Sequence, residues 1–173
     1  MDSQVRQYDQ PAAKIVTREQ AAVFADAARR AGRTVVFANG CFDILHGGHV
    51  SYLEGARAEG DVLIVGVNSD ASERRIKGDA RPIVPQAERA ELIAGMEAVD
   101  RVFVFEEETA EASLRAIRPD VHAKGTDYTA ETVPERQVAE ALGIRVAIAG
   151  APKQNASKRI MQKIRETAGN GRD

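Results

Sequence analysis

Five short apolar runs, most of them rich in β-branched residues, recur along the chain. Their apolar positions are continuous rather than alternating, a pattern typical of strands that are covered on both faces of a sheet. We predict that each run forms a buried β-strand. The runs are TVVFA at 34–38, DVLIVGV at 61–67, RVFVF at 101–105, DVHAK at 120–124 and RVAIA at 145–149.

Segments with helical periodicity separate these runs. Thr17 and Gln20 form a capping-box signature ahead of an alanine-rich stretch that reaches Arg30, and Gly32 then ends it. Alternation of short strands with helices predicts parallel β-α-β units with right-handed connections. The predicted fold is therefore α/β: a Rossmann-like, doubly wound, parallel five-stranded sheet with helices on both faces. The other helical segments are 48–59, 85–97, 109–117, 133–142 and 156–167.

The length of the chain indicates how many domains it forms. A chain of 173 residues is long enough to bury one core and suits a single domain, which we expect over 17–168. A polar N-terminal segment at 1–16, with a short anchoring stretch around Ile15 and Val16, precedes this domain. Residues 169–173 are expected to form a C-terminal tail.

Charge and composition exclude several kinds of partner. The 24 basic and 26 acidic side chains nearly balance and aromatic residues are few, so we expect no nucleic-acid partner. The single cysteine, Cys41, excludes an internal disulfide and fits a reducing compartment. No segment has the apolar core of a signal peptide or the length to span a bilayer. We therefore expect a cytoplasmic protein without a membrane partner.

The predicted fold indicates where a ligand would bind. Sheets of this kind bind ligands at the carboxyl ends of their strands, near the point where the strand order reverses. Three segments with polar or glycine residues follow predicted strands, at 39–49, 68–81 and 124–128. The second of them is expected to be a flexible, basic, glycine-containing loop. We therefore expect the functional residues to lie in these segments.

The segment NGCFDILHGGH at 39–49 places two histidines at the start of a predicted helix. Gly47 and Gly48 allow close approach of the backbone, and a helix N-terminus presents unpaired amides to an anion. His46 and His49, three residues apart, can lie on one face of the first turn. The pattern favours a site for negative charge on a phosphoryl group. A zinc site completed by Asp43, or a purely structural histidine pair, are the alternatives.

The same segment resembles the signature of nucleotidyltransferases that carry a His-x-Gly-His motif, a superfamily that includes cytidylyltransferases and adenylyltransferases. Further motifs occur in the order and spacing of the bacterial heptose 1-phosphate adenylyltransferases, and together the likeness covers 15–165. These motifs are GDVLIVGVNSDAS at 60–72, KGDARPIVPQAER at 77–89, VD at 99–100 and KGTDY at 124–128. In the family, some members are free-standing enzymes and others are fused to a sugar kinase.

The resemblance implies an activity and its partners. The enzyme would transfer AMP from ATP to D-glycero-D-manno-heptose 1-phosphate, giving ADP-heptose for lipopolysaccharide together with pyrophosphate. Mg²⁺ would accompany ATP, bound through the nucleotide phosphates with no ligand required from the protein. Family members are commonly dimers, so a homodimer is expected. The alternatives are a cytidylyltransferase for glycerol 3-phosphate or another polyol phosphate, an adenylyltransferase for flavin mononucleotide, and a non-catalytic nucleotide-binding domain.

The resemblance also implies roles for particular residues. His46, His49 and Lys77 would be catalytic, the histidines at the α-phosphate and Lys77 at the outer phosphates. Asp70, Arg81 and Tyr128 would bind the substrate. The nucleotide would contact Asn39, Gly40, Cys41, Phe42, Asp43, Gly48, Arg89, Lys124, Gly125, Asp127 and Ser157.

Several of these roles have structural alternatives. Lys77 and Lys124 can instead be solvent-exposed, and Arg89 can pair with a carboxylate of a neighbouring element. Asp70 and Asp100 can brace loops or a dimer contact. The chain departs from the family in two places. Thr126 replaces a usual second glycine, and Asn155, Ala156 and Ser157 replace Ser-Thr-Thr at the last helix, where Asn155 is expected to cap and Lys153 or Lys158 to add charge.

Overall fold

The computed structural model describes residues 10–152 and 157–169. The predictions for Lys153, Asn155 and Ala156, and for the side chain of Lys158, lie outside the described residues. The strands are β1 Val35–Gly40, β2 Val62–Asn68, β3 Arg101–Phe105, β4 Val121–Gly125 and β5 Arg145–Ala149. The helices are α1 Pro11–Lys14, α2 Arg18–Arg30, α3 Gly47–Arg57, α4 Asp70–Lys77, α5 Gln86–Ala94, α6 Glu111–Ile117, α7 Arg136–Leu142 and α8 Ser157–Gly169.

The five strands form one parallel sheet in the order β3-β2-β1-β4-β5. The predicted α/β fold, with five parallel strands and helices on both faces, is confirmed. From β1 the chain first builds outward through β2 and β3, and it then returns to place β4 on the other side of β1. The strand order therefore reverses between β1 and β4, and a crevice at their carboxyl ends is where such folds bind ligands.

Alternate residues of each central strand enter two separate apolar cores. Val36 and Leu63 pack with Leu53 of α3 and Ile93 of α5 on one face of the sheet. The other core holds strand residues such as Phe37, together with alanines of α2 and apolar residues of α6 and α7. Because both faces are covered, every residue of β2 is buried. This explains the continuous apolar runs in the sequence.

The N-terminal part of the described chain is tied to the sheet. The Thr17 hydroxyl accepts from the Gln20 amide at 3.2 Å, and the Gln20 side chain accepts from the Thr17 amide at 2.9 Å. The predicted capping box of α2 is therefore confirmed. Ile15 bridges to Val102 of β3, and the Val16 amide donates to the Val102 carbonyl at 2.9 Å. This is the anchoring stretch expected from the sequence.

The prediction of a flexible loop over 68–81 was wrong for most of that range. Residues 70–77 form α4, capped by the Ser69 hydroxyl, which accepts from the Ser72 amide at 3.1 Å. Acidic residues in its first turn and basic residues in its last turn also favour a helix, because they complement the helix dipole. Lys77 therefore ends a helix, and Gly78 follows with a positive φ of 92°. The capping serine and this charge pattern were present in the sequence, but the basic residues were interpreted as part of a phosphate-binding loop.

No helix within residues 10–152 and 157–169 has the length and apolar character needed to cross a membrane.

Close packing of α3 on β5 depends on Gly55. A Cβ at this position would lie 2.6 Å from the backbone nitrogen of Gly150, which is too short for any contact. We expect Gly55→Ala to lower the free energy of unfolding by about 1–3 kcal/mol, although alanine is the better helix former. Urea unfolding measures this. Gly95→Ala is the matched control, because its Cβ would meet only ordinary contacts at 3.4 Å and the backbone is already helical.

Candidate active site

The segment between β1 and α3, residues 41–46, forms a tight turn at the reversal of strand order; we call residues 39–49 the histidine turn. Phe42 adopts a positive φ of 54°, and its ring is buried against the end of the strand. A Cβ at Gly40 would lie 3.2 Å from that ring, a tight contact that the Phe42 side chain would have to shift to relieve. Asn39 and Gly40 extend β1 beyond its predicted end at residue 38 and pair with β2.

The two histidines stack on each other at the N-terminus of α3. Their ring centroids are 4.0 Å apart with 28° between the planes, and the edge of Phe42 contacts His49 at 5.4 Å. His46 caps the helix, because its Nδ1 accepts from the Gly48 amide at 3.1 Å. A neutral His46 therefore carries its proton on Nε2. The structure thus brings the two predicted catalytic imidazoles together, with one of the expected helix amides bound by His46 itself.

Asp43 connects the histidine turn to the segment before α5. Its buried carboxylate accepts from the amides of Ile83 at 2.7 Å and Val84 at 2.9 Å, and from the Arg81 guanidinium. Burial opposes ionisation, but these donors outweigh it and lower the pKa of Asp43 below its ordinary value. Asp43 and Arg81, predicted to contact nucleotide and substrate, are therefore paired with each other. Their direct contact with a ligand stays a prediction.

Arg89 is completely buried and joins three segments. Its guanidinium donates to the carbonyls of Cys41 in the histidine turn, Asn68 at the end of β2 and Val84 before α5. It also donates to the Asp70 carboxylate at 2.8 Å. The sequence left two interpretations of Arg89 open, a contact with phosphate and an ion pair with a neighbouring element. The structure shows the ion pair, and the contact with phosphate stays a prediction. Asp70 also accepts from the amide of Gln86, the first residue of α5.

Lys77 lies beside the histidine turn, and its ammonium forms an ion pair within the protein. Its ammonium donates to Oε1 of Glu73 at 2.9 Å, one turn earlier in α4. Burial raises the pKa of the Cys41 thiol, and the charge of nearby Lys77 opposes part of that rise. Cys41 therefore has the surroundings of a packing residue rather than of a reactive thiolate. The position of Lys77 relative to the turn is compatible with its predicted contact to the outer phosphates.

A buried polar chain links β1, β4 and the start of α7. Oδ1 of Asn39 lies 3.0 Å from Nε2 of His122 and 3.5 Å from Nζ of Lys124. Lys124 also donates to Glu135 at 3.2 Å, and Glu135 accepts from the Ala110 amide at 3.0 Å. Lys124 is 5% exposed, so it neither ends its strand in solvent nor presents a free ammonium. It holds Asn39 and Glu135 in place.

Burial controls the charge of His122. The ring is fully buried and stacks on Phe37 at 5.7 Å. Loss of hydration, together with the neighbouring Lys124 charge, lowers the pKa of His122 to about 3, against 6.5 in an exposed histidine. The ring is therefore neutral near neutral pH. Since it then carries one proton, Nε2–H donating to Asn39 is the tautomer that satisfies both groups.

The remaining predicted residues flank the crevice at the end of β4 and beside α8. The Tyr128 ring lies 4.9 Å from the Lys124 ammonium, and burial raises the pKa of Tyr128. Asp127 is exposed, and the hydroxyl of Thr126 donates to the Ala151 carbonyl at 3.2 Å. The Ser157 hydroxyl donates to the Ile44 carbonyl at 3.4 Å. The first turn of α8 therefore contacts the histidine turn.

Three functional-site residues were missed from the sequence. Glu73 stands four residues before Lys77, and that spacing is the signal of a helical ion pair once α4 is recognised. His122 was hidden in an apolar run and was read only as a strand residue. Glu135 gave no signal, because its partners come from distant parts of the chain. Burial of such charged groups is decided by tertiary contacts that a linear pattern does not contain.

Comparisons with known proteins show which family this chain resembles. The family model described as cytidylyltransferase-like matches residues 37–165. The bifunctional protein HldE of Pseudomonas aeruginosa strain LESB58 is 49% identical over 148 residues, which cover 86% of this chain and 31% of that protein. Its counterpart from Pelobacter propionicus is 42% identical over 153 residues, covering 88% and 31%. The chain therefore spans about a third of the length of these curated relatives.

Two solved structures are similar in fold to this chain. A lipopolysaccharide core biosynthesis protein from Thermoplasma volcanium has a TM-score of 0.59 and 32% identity, and the match covers 72% of this chain and 100% of that chain. A pantoate-beta-alanine ligase from Francisella tularensis, complexed with beta-gamma ATP and beta-alanine, has a TM-score of 0.62, covering 86% and 72%. Its identity is only 16%, so this second likeness shows the fold alone.

The lowered pKa of His122 makes stability depend on pH. Because the folded-state pKa of about 3 lies below the unfolded value of 6.5, the unfolded chain binds the proton first as the pH falls. The stability from the neutral ring is present above that unfolded value and is lost progressively towards the folded one. We expect His122 to account for about 2 kcal/mol of lost unfolding free energy between about pH 7 and pH 5.

Urea unfolding of His122→Leu and His122→Gln at both pH values checks this. Both variants should lose that part of the pH slope whatever their absolute stability, since neither side chain titrates. An unchanged slope in both would show that the ring is not held neutral by burial.

Proposed function

Because the chain belongs to the cytidylyltransferase-like family, we propose that it transfers AMP from ATP to D-glycero-D-manno-heptose 1-phosphate. The products are ADP-heptose and pyrophosphate. The observation that carries the proposal is the stacked pair of His46 and His49 at the N-terminus of α3, beside the reversal of strand order. Identity of 42–49% to the HldE proteins over most of this chain supports the choice of the heptose branch.

The proposed reaction is a direct displacement at phosphorus. A phosphate oxygen of the sugar 1-phosphate attacks the α-phosphorus of ATP, a new P–O bond forms, and the bond to the β-phosphate oxygen breaks in line. Pyrophosphate leaves with that bonding pair, so the protein need not provide a nucleophile. Catalysis of this kind consists mainly of positioning and of stabilising the charge that develops on the transferred group.

The histidine turn supplies the stabilising groups in this proposal. His46 carries its proton on Nε2 when neutral, and His49 is stacked against it. In this proposal both rings direct an N–H donor at the α-phosphate. Lys77 and the first turn of α8, which contacts the turn through Ser157, would take the outer phosphates. Donors placed in advance need no reorganisation when charge develops.

Mg²⁺ is proposed to enter with ATP. The described part of the chain contains no group of three or more His, Cys, Asp or Glu side chains arranged to hold a metal ion. The carboxylates of Asp43 and Asp70 are already bound to backbone amides and guanidinium groups. The donor set therefore fits an ion held by nucleotide phosphates and water, the arrangement that Mg²⁺ commonly adopts. Such an ion would neutralise phosphate charge.

A homodimer and a cytoplasmic location are further parts of this proposal. The homodimer is supported by the family resemblance. The location is supported by the single cysteine, Cys41, which suits a reducing compartment.

A substrate panel tests the proposed activity. We expect pyrophosphate release with ATP and D-glycero-D-manno-heptose 1-phosphate, and much slower release with CTP or with glycerol 3-phosphate or flavin mononucleotide as acceptor. Faster release with CTP and a polyol phosphate would instead assign a cytidylyltransferase. Nucleotide binding by calorimetry with no pyrophosphate from any pair would indicate a non-catalytic domain.

The two histidines are tested in the same assay. We expect His46→Ala or His49→Ala to lower turnover by about two orders of magnitude or more, as for loss of one preorganised donor. Glu140→Gln is the control, because this exposed carboxylate of α7 pairs with Arg136 away from the turn and its loss should leave turnover within a few-fold. Near-normal pyrophosphate release by the double variant of His46 and His49 would rule out their proposed role.

A further inference from the structure

Glu73 is a buried carboxylate between two cations. Its side chain has no exposed surface, Oε1 accepts from Lys77 at 2.9 Å, and Oε2 lies 3.3 Å from the Arg89 guanidinium. An ionised carboxylate is costly to bury unless it is paired. Two partners therefore share the task of compensating this charge.

The two cations differ in their freedom to move. Arg89 is fully buried and fixed by three carbonyls and Asp70, so it cannot leave Glu73 without breaking the contacts between loops. Lys77 is the last residue of α4, directly before Gly78, and its side chain is 38% exposed. Lys77 can therefore exchange partners, whereas Arg89 remains beside the carboxylate.

The position of Lys77 places this exchange at the active site. Its charge reaches the Cys41 thiol, which lies within the histidine turn. Arg89, the other partner of Glu73, donates to the backbone carbonyl of the same cysteine. An ammonium released from Glu73 would thus already be next to the groups proposed to hold nucleotide phosphate.

We propose that Glu73 is a positioning residue that competes with nucleotide phosphates for the Lys77 ammonium. The proposal rests on the function proposed above. When ATP binds, Lys77 exchanges Oε1 of Glu73 for a phosphate oxygen, and Arg89 stays beside the buried carboxylate as its counterion. After transfer, Glu73 attracts Lys77 back and weakens its hold on pyrophosphate.

The consequence is that Glu73 lowers affinity for both ATP and pyrophosphate. Separating the Lys77–Glu73 pair opposes binding of either ligand. Glu73→Gln keeps the shape and an acceptor but removes the charge that restrains Lys77. We expect this variant to bind ATP and pyrophosphate about threefold to fivefold more tightly, as for the loss of a partly exposed ion pair. A purely structural residue would weaken binding when replaced.

A double-mutant cycle measures the competition. Calorimetry with ATP and with pyrophosphate is carried out on the full chain and on Glu73→Gln, Lys77→Ala and the double variant. The tightening caused by Glu73→Gln should be present with Lys77 and absent without it. Glu140→Gln is the matched control, because Glu140 pairs with Arg136 at the same helical spacing, at 2.6 Å, on the exposed face of α7. It should leave both affinities unchanged.

Several outcomes would overturn the proposal. Unchanged or weaker ATP binding by Glu73→Gln, or the same tightening in the Lys77→Ala background, would contradict it while leaving the proposed function intact. Failure of the unaltered protein to bind ATP would overturn both.

Should Glu73→Gln not fold, NMR of the unaltered protein provides the test. On addition of ATP, the ammonium resonance of Lys77 and the carboxylate carbon of Glu73 should shift together. A Glu73 carbon that does not shift would contradict the exchange.

Discussion

The candidate active site depends on one buried guanidinium. Arg89 donates to backbone carbonyls of the histidine turn, of the end of β2 and of the segment before α5, and it also pairs with Asp70. The pairing of β1 with β2 and the Asp43 carboxylate each connect two of these segments, and Arg89 is the side chain that contacts all three. Removing a buried cation of this kind leaves its carboxylates uncompensated, which typically costs about 3–5 kcal/mol.

Much of the charge around the site is used to build it rather than left for a ligand. Asp43 holds Arg81 and the amides before α5, and Lys124 holds Glu135 and Asn39. Of these groups, Asp43, Arg81, Lys124 and Asn39 were predicted from the sequence to contact a ligand. The two stacked imidazoles, the partly exposed Lys77 and the first turn of α8 are the groups to which we assign the phosphates. A rigid frame of internal ion pairs with few ligand-facing donors suits catalysis by preorganised charge.

The fold could be predicted from the sequence because the patterns that specify it are local. Continuous apolar runs, the capping box at Thr17 and the glycines beside His46 each determine backbone geometry within a few residues. The helix α4 was missed although Ser69 caps it, since its basic residues suggested a phosphate loop. The burial of Arg89 and His122 was beyond sequence reasoning, because it depends on distant partners such as Cys41, 48 residues from Arg89, and Asn39, 83 residues from His122.

A crystal structure with a non-hydrolysable ATP analogue tests the central claim most directly, namely that the histidine turn holds the inner phosphate of a nucleotide. The account predicts an α-phosphate oxygen within hydrogen-bonding distance of His46 or His49, with the outer phosphates directed towards Lys77 and α8. A triphosphate that lies away from both imidazoles would contradict it, whatever the family likeness.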